Sequence, residues 1–340
     1  MSANLVSILT PCFNSEKHIT RLLDSIVCQS YQNIEMFIID DGSKDNSSEI
    51  IKSFIPKFGS KGYSLTYIYQ ENSGQSNAIN RGLKLVKGEY LIWPDSDDFY
   101  ATNTAIEQMA NILESSDDSV SMVRCQVNLL NEDTLELVGR HQTNKYTKNK
   151  VDLFDDCLFV KNNFWFGAGI YMAKVTKLLE CISNREIYTE KNAGQNWQLM
   201  LPLLYKNKCL TIDKFLYNVL VRQDSHSRGK YSTFEQVCKK HLSYENTLHH
   251  TLLKMKNIPD YEKSEYITKL NSHYKTIMLS TCLNFKQMDL ANSIYHELKQ
   301  KYSHQNIPNI LCLKYYCNLV PFGNLFFRVI AKIFNLMKRR

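Results

Sequence analysis

The sequence lacks any long apolar run, and this absence removes one class of protein. No stretch of about 18 uninterrupted apolar residues occurs among the 340 residues, so we expect no membrane-spanning helix. The first residues also lack the basic and apolar segments of a secretory signal peptide. These absences predict a cytoplasmic protein, and its length is sufficient for one large or two smaller domains.

Cysteines at metal-binding spacing are also missing. The ten cysteines include no Cys-x-x-Cys pair and no cluster with histidine at zinc spacing, which argues against a structural zinc site. Cys12, Cys125 and Cys209 stand in apolar runs, where a free cysteine behaves as a small hydrophobic residue. This cysteine usage favours a reducing compartment.

Glycine-rich phosphate loops are absent as well. The chain contains neither Gly-x-Gly-x-x-Gly nor Gly-x-x-x-x-Gly-Lys-Ser/Thr, which excludes the phosphate sites of Rossmann dehydrogenases and P-loop NTPases. A nucleotide bound here would therefore need a metal ion to neutralise its phosphates. The net charge of +7 does not indicate nucleic acid, because no aromatic–basic pattern of a nucleic-acid module occurs.

What the first hundred residues do contain is an alternation of short apolar runs with amphipathic segments. The apolar runs predict four strands, and the segments between them show the apolar spacing of helices. Strands that alternate with helices imply right-handed crossovers and a mainly parallel sheet, so the predicted fold class is α/β. The predicted strands are 5–10, 34–39, 64–69 and 89–93, and the predicted helices include 15–28 and 76–86.

The fourth predicted strand runs directly into three carboxylates, Asp95, Asp97 and Asp98. Carboxylates this close repel one another unless a cation or a hydrogen-bond network separates them. Mg²⁺ and Mn²⁺ take oxygen ligands, and Mg²⁺ is commonly shared between carboxylates and substrate phosphates. We interpret Asp95-x-Asp97 as a site for a metal-bound diphosphate. The alternative is a solvated acidic turn, or Asp95 as a helix N-cap.

Polar residues also follow the first two predicted strands. Thr10 and Asn14 follow the first strand, and Asp40 and Asp41 follow the second. Because the carboxyl ends of parallel strands lie at one edge of a sheet, we expect these side chains to meet the acidic stretch there. That edge is where open α/β sheets bind ligands.

Four motifs occur in order over residues 5–100. They are Thr10-Pro11-x-x-Asn14, Ile39-Asp40-Asp41-Gly42-Ser43-x-Asp45, Asn72-x-Gly74-x-x-x-Ala78-x-Asn80-x-Gly82, and Gly88-Glu89-Tyr90 running into Asp95-x-Asp97-Asp98. Together they resemble the family 2 glycosyltransferases, inverting enzymes of the GT-A fold that use nucleotide-diphosphate sugars. The resemblance implies a catalytic domain at 1–230, with a nucleotide-sugar half at 1–100 and an acceptor half at 101–230. A helical region at 231–340 would follow it.

The resemblance implies donor-binding roles at the first two strand ends. Thr10 and Pro11 would line the nucleoside pocket, with Asn14 and Glu16 at its rim. Asp41 would accept a hydrogen bond from the uracil ring. The local alternatives are turn formation for the aspartate and capping for the asparagine.

The resemblance also implies a metal site. Asp97 would ligate Mn²⁺ or Mg²⁺ bound to the diphosphate, and Asp95 would face the metal or the ribose. Ser96 and Asn80 would belong to the same donor site. His226, in a polar loop after a late strand, would complete the metal site or cover the diphosphate; otherwise it is a surface histidine.

The general base is less clear from the sequence. Inverting transfer needs a group that takes the proton from the acceptor hydroxyl. The family usually places it in a Glu-Asp pair that opens a helix, but the matching pair here is Gln195-Asn196, and amides cannot act as bases. Three interpretations stay open. Asn196 and its neighbour orient the acceptor while Glu190 removes the proton, Asp98 removes it, or the domain binds without catalysis.

The later segments carry weaker signals. Residues 130–150 are polar and predict a surface loop, whereas 163–172 resemble the acceptor-side strand of the family, with Trp165 either a stacking face or an ordinary buried residue. Residues 233–302 predict two or three helices. The end of the chain, 322–340, predicts a basic amphipathic helix that lies in a membrane interface or packs on the protein core.

These expectations define one function and two rivals. The first is metal-dependent, inverting transfer from a UDP-sugar to a saccharide or lipid-linked oligosaccharide, in bacterial O-antigen or capsule synthesis at the inner face of the cytoplasmic membrane. The first rival is a non-catalytic module that binds nucleotide-sugars or saccharides. The second rival is a nucleotidyltransferase, but such an enzyme would carry a glycine-rich triphosphate loop near the first strand, and none is present.

Overall fold

The computed structural model describes residues 3–143, 147, 149–182, 184–190, 193–222, 231–302 and 308–319. The chain divides into two compact units. The first consists of Met1–Gly229 with His250–Asp260, and the second of Lys230–His249 with Tyr261–Arg340. His226 and the segment 322–340 lie outside the described residues.

The first part of the sheet has the alternation that the sequence predicts. Every residue of the first two strands is buried, because helices cover both faces of a parallel sheet. The elements are β1 (Val6–Cys12), α1 (Ile19–Val27), β2 (Ile34–Asp40), α2 (Ser47–Ser60), β3 (Ser64–Tyr69), α3 (Gln75–Leu83) and β4 (Tyr90–Ile92). The first helix packs on the sheet through the apolar positions that its spacing predicts, Ile19, Leu22, Leu23 and Ile26.

The second part of the sheet is mixed. Its elements are β5 (Phe99–Tyr100), α4 (Ala105–Glu114), β6 (Val120–Asn131), β7 (Leu137–His141), α5 (Phe154–Leu158), β8 (Tyr171–Lys174), α6 (Val175–Cys181), α7 (Gln195–Leu204) and β9 (Lys208–Val221). The strand order is β3-β2-β1-β4-β8-β6-β9-β5, with β7 paired to β6. Strands β1 to β4 pair in parallel, and β8 is antiparallel to both β4 and β6. The predicted α/β class is confirmed.

One predicted loop is partly a strand. Within 130–150, β7 pairs antiparallel with the end of β6. Strand β7 is short and largely exposed, and its sequence, Leu137-Val138-Gly139-Arg140-His141, lacks the apolar–polar alternation by which strands are recognised.

The chain beyond the sheet is helical. Its elements are α8 (Phe234–Lys254), α9 (Asp260–Asn284), α10 (Met288–Lys301) and α11 (Asn309–Asn318). The second unit has its own core, which contains Leu279, Leu283, Leu298 and Tyr315. Among the described residues, no helix is long and apolar enough to cross a membrane.

Gly88, two residues before β4, provides a test of how tightly the central strands pack. A Cβ atom on Gly88 would lie 2.5 Å from the carbonyl oxygen of Leu5 and 2.8 Å from the backbone nitrogen of Ser7. Because these are backbone atoms at the start of β1, a strand paired on both sides, they cannot move aside cheaply. We expect Gly88→Ala to lower the free energy of unfolding by about 1–3 kcal/mol in urea denaturation.

Gly59 provides the matched control, because a Cβ there would meet nothing within 4 Å. It lies near the end of α2, where alanine is favoured over glycine by about 0.5–1 kcal/mol. Equal destabilisation by the two alanine substitutions would contradict the close packing inferred at Gly88.

Candidate active site

Three carboxylates form a cluster on the turn that follows β4. One oxygen from each of Asp95, Asp97 and Asp98 can be chosen so that all three lie within 4.8 Å of one another. Asp98 is buried, and the other two are half-buried. Oxygen donors at this spacing have the chemistry that Mg²⁺ and Mn²⁺ require, with room left in the coordination shell for phosphate or water.

Hydrogen bonds and one ion pair from three different parts of the fold, α3, α7 and the end of β9, offset the repulsion within this cluster. Arg222, just after β9, pairs with Asp97 at an Nη2–Oδ2 distance of 3.0 Å. The backbone N–H of Leu220 on β9 donates to Asp98 Oδ1 at 2.9 Å. Asp95 Oδ1 accepts from the side-chain amides of two helix-opening residues at 3.4 Å each: Gln75 of α3 and Gln195 of α7.

These contacts do not remove the electrostatic cost completely. Burial raises the pKa of Asp95 and of Asp98, and the neighbouring charge on Asp97 raises both pKa values further. Arg222 and the Leu220 N–H act in the opposite direction on the pKa of Asp98. A cation bound to this cluster would therefore gain more than one bound to an exposed acidic turn.

The loops after β1, β2 and β4 meet beside the cluster, as the parallel sheet predicts. The hydroxyls of Ser15 and Ser96 share a hydrogen bond of 2.6 Å, which joins the first loop to the acidic turn. Asn14 Oδ1 accepts from the backbone of Lys44 at 2.9 Å, and Glu16 accepts from the backbone of Asn46 at 3.0 Å. Asn14 and Glu16 therefore connect the loop after β1 to the loop after β2.

Asp41 is buried and organises the loop before α3. Its Oδ1 accepts from Gln70 Nε2 at 2.7 Å and from the Ser73 N–H at 2.9 Å, and its Oδ2 accepts from the Gly74 N–H at 2.8 Å. A carboxylate can accept about four hydrogen bonds, so Oδ2 keeps one acceptor position. The sequence did not predict the contacts with Gln70 and Ser73, because polar loop residues show no periodic pattern.

The first strand end carries a polar atom without a partner. Thr10 is fully buried, and its hydroxyl makes no hydrogen bond with any described residue. Pro11 beside it is buried as well. An unpartnered buried hydroxyl is costly, and a nucleoside that reached Thr10 would relieve that cost.

The remaining predicted residues take diverse positions. Asn80 uses both ends of its amide on the backbone of Ile187, at 2.8 and 3.0 Å. Asn196 Oδ1 accepts from Trp93 Nε1 at 3.0 Å, which ties α7 to the end of β4. Glu190 is exposed, and its described side-chain contact is the Tyr188 hydroxyl, which donates to it at 3.0 Å.

Comparison with protein-family models identifies the family of the domain that carries this sheet edge. The model of the glycosyl transferase family 2 matches residues 7–174, which include the strand ends and the acidic turn described above. Residues 7–174 form a family 2 glycosyltransferase domain.

Curated relatives agree with this assignment. An uncharacterized glycosyltransferase of Rickettsia typhi is 36% identical over 149 residues, which cover 44% of this chain and 44% of that protein. An uncharacterized glycosyltransferase of Haemophilus influenzae is 41% identical over 113 residues, covering 33% of this chain and 44% of that one. The chain thus matches less than half the length of these relatives.

Solved structures share the fold of the chain. S. aureus TarS 1–349 in complex with UDP-GlcNAc superposes with a TM-score of 0.61 at 16% identity, covering 96% of this chain and 87% of the TarS 1–349 chain. A mannosyltransferase of Pyrobaculum calidifontis in complex with GDP-Man and Mn²⁺ gives 0.53 at 14% identity, covering 99% and 88%. At this level of identity the likeness concerns the fold, which is the GT-A fold of the family 2 domain.

The raised carboxyl pKa values predict a pH-dependent stability. A raised pKa means that the folded state holds the proton more tightly than the unfolded chain does, so stability falls as pH rises above the ordinary aspartate pKa of 3.8. Asp98→Asn keeps an acceptor for the Leu220 N–H and removes the charge. In thermal unfolding with a metal chelator, we expect this variant to gain stability over the wild type progressively from pH 4 towards pH 8.

Asp24→Asn is the control for this experiment, because Asp24 is exposed and its ion pair with Lys57 is long, at 4.0 Å. Its midpoint should follow that of the wild type at every pH. A pH-independent difference between wild type and Asp98→Asn would refute the raised pKa of Asp98.

Proposed function

We propose that this chain is a metal-dependent, inverting glycosyltransferase that moves a sugar from a UDP-sugar to a saccharide or lipid-linked acceptor. The proposal is carried by one observation: the acidic cluster, the loop after β1 and the loop organised by Asp41 meet at one edge of a family 2 domain. The neighbouring structures hold UDP-GlcNAc and GDP-Man. The preference for uridine rests on the motif around Asp41.

The donor set fits a hard divalent cation. Asp97 and Asp95 would hold Mn²⁺ or Mg²⁺, and His226, outside the described residues, is the third proposed ligand. When bound, the metal offsets the charge that develops on the leaving nucleoside diphosphate. Arg222, which reaches the cluster through Asp97, supplies a guanidinium suited to two-pronged contact with a phosphate group.

In the proposed reaction, the acceptor oxygen forms a bond to the anomeric carbon while the bond from that carbon to the diphosphate breaks. The acceptor proton must pass to a base. Gln195 and Asn196 cannot accept it, and both amides are hydrogen-bonded within the protein. We assign the base to Glu190, whose exposed carboxylate lies in the segment that leads into α7.

The proposed setting is bacterial surface polysaccharide synthesis on the cytoplasmic side of the membrane. It follows from the family resemblance and from the basic residues at the end of the chain, which lie outside the described residues. The rival function is a module that binds nucleotide-sugars without turnover. The replacement of the usual acidic pair by Gln195-Asn196 favours this rival.

The metal site is tested by Asp97→Asn, which preserves the shape of the side chain and removes its charge. We expect Mn²⁺-dependent hydrolysis of a UDP-sugar, measured over a panel of UDP-sugars, to fall by about 100-fold or more, since a preorganised charge contact to the leaving group is lost. Asp24→Asn should retain wild-type turnover. Absence of any turnover in the wild type, together with tight UDP binding, would instead support the non-catalytic module.

The general base is tested by Glu190→Gln. Loss of a general base lowers the transfer rate by about 100- to 10,000-fold while donor binding is unchanged. The measurements are kcat for transfer and the dissociation constant of UDP in the presence of Mn²⁺. Glu186→Gln is the matched control, because Glu186 precedes the same helix but pairs with Lys84 at 2.7 Å. A wild-type kcat for Glu190→Gln would exclude Glu190 and leave Asp98 as the candidate.

A further inference from the structure

A second polar cavity lies in the acceptor half of the first unit, apart from the acidic cluster. It is bounded by the middle of β6, the start of β8 and the aromatic segment before β8. The side chains that matter most are Arg124, His141, Phe164, Trp165 and Tyr171. We call it the Arg124 cavity.

The position of Arg124 follows from the strand register. On β6 it stands directly opposite Tyr171 of β8 and Thr211 of β9, so it lies in the middle of three paired strands. Its side chain is buried, with 6% exposure. Arg124 thus places a buried positive charge in the wall of the cavity.

The described residues supply Arg124 with hydrogen-bond partners but no counter-charge. Its Nε donates to Thr211 Oγ1 at 3.0 Å, and its guanidinium lies 6.0 Å from the ring centroid of Phe164. The neighbouring Tyr171 hydroxyl donates its own proton to the Trp165 carbonyl at 2.6 Å. Within the described ranges no carboxylate forms an ion pair with Arg124.

The acidic residue in the wall of the cavity is already neutralised. Both oxygens of Asp156 accept from Lys150 Nζ at 2.9 Å, and one also accepts from Asn162 Nδ2 at 2.8 Å. Burying a charge without a partner costs several kcal/mol. A buried guanidinium that has no counter-charge among the described residues therefore points to an anionic ligand.

The remaining lining suits a charged group attached to a sugar. The rings of His141 and Trp165 make an edge-to-face contact with centroids 4.1 Å apart. Burial lowers the pKa of His141, so Arg124 is the main positive charge at neutral pH. Trp165 lines the cavity and is half-buried, so part of its surface is accessible to a ligand. The cavity volume of about 20 Å³ is enough for a small polar group but not for a sugar ring.

A chain of aromatic contacts links the cavity to the acidic cluster. Phe164 packs on Phe166 at 4.9 Å between ring centroids, and Phe166 packs on Trp197 at 4.6 Å. Trp197 belongs to the first turn of α7, whose first residue, Gln195, donates to Asp95. The cavity and the proposed donor site therefore flank the same helix start.

We propose that the Arg124 cavity binds one oxyanion group, a carboxylate or a phosphate, carried by the saccharide acceptor. The sugar ring that bears this group stacks on Trp165, and the oxyanion pairs with the guanidinium of Arg124 in two-pronged fashion. The anion site follows from the cavity itself. Its assignment to the acceptor rests on the proposed function.

The test compares wild type with Arg124→Met, which keeps the length of the side chain and removes the charge. The probes are D-glucuronate for a carboxylate, glucose 6-phosphate for a phosphate, and D-glucose as the neutral control. Binding is measured by calorimetry and by the thermal unfolding midpoint at two salt concentrations. Arg140→Met is the matched control, because Arg140 is exposed on the adjacent β7.

We expect one or both anionic probes, but not glucose, to bind wild type and Arg140→Met more weakly as salt rises. Affinity should fall at least about tenfold in Arg124→Met, because a charge-assisted hydrogen bond is lost. Without ligand, the midpoint of Arg124→Met should equal or exceed that of wild type, since a buried unpaired charge is removed. Whichever probe binds identifies the oxyanion as carboxylate or phosphate.

Equal binding of glucose and the acids, or no binding of either acid to wild type, would overturn the proposal. So would a large loss of stability in Arg124→Met without any loss of affinity. If Arg124→Met does not fold, Arg124→Lys replaces it, and wild-type affinity in that variant counts against the two-pronged contact. UDP binding with Mn²⁺, measured on the same samples, tests the donor site separately, so either proposal can fail alone.

Discussion

Mutual repulsion among Asp95, Asp97 and Asp98 is the constraint on which the arrangement of this domain depends. Each carboxylate is stabilised by a different part of the chain: one by the amides that open α3 and α7, one by Arg222, and one by a backbone N–H of β9. The acidic turn therefore holds together elements that are more than a hundred residues apart in sequence. The raised pKa values of Asp95 and Asp98 show that the compensation is incomplete.

The charges around the start of α7 explain why amides, rather than carboxylates, suit positions 195 and 196. A glutamate at position 195 would add a fourth negative charge beside Asp95, whereas Gln195 donates a hydrogen bond to it. Asn196 likewise accepts from Trp93 and so ties the helix to the central strand. The amides thus contribute hydrogen bonds that hold the start of α7 against the acidic turn and the end of β4.

The two polar sites of the first unit have opposite electrostatic character. The edge of the parallel strands concentrates negative charge and would favour a cation with its bound diphosphate. The Arg124 cavity, on the mixed part of the sheet, contains a positive charge that has no acidic partner among the described residues and would favour an anion. Strand β8 lies between the two parts, because it pairs with β4 on one side and with β6 on the other.

The sequence by itself determined the α/β class, the order of the first seven elements and the convergence of the strand ends. These properties follow from local periodicity and from the geometry of parallel sheets. The helical spacing of apolar residues such as Ile19 and Leu22 is an example of the pattern that predicted them. The sequence also predicted Asp97 and Asp95 as neighbours at that edge. Only the tertiary structure decided that Arg222 pairs with Asp97, that Gln195 donates to Asp95, and that Arg124 has no acidic partner among the described residues. Contacts between residues that are distant in the chain leave no periodic signal in the sequence. They depend on strand order and register, which local sequence patterns do not specify.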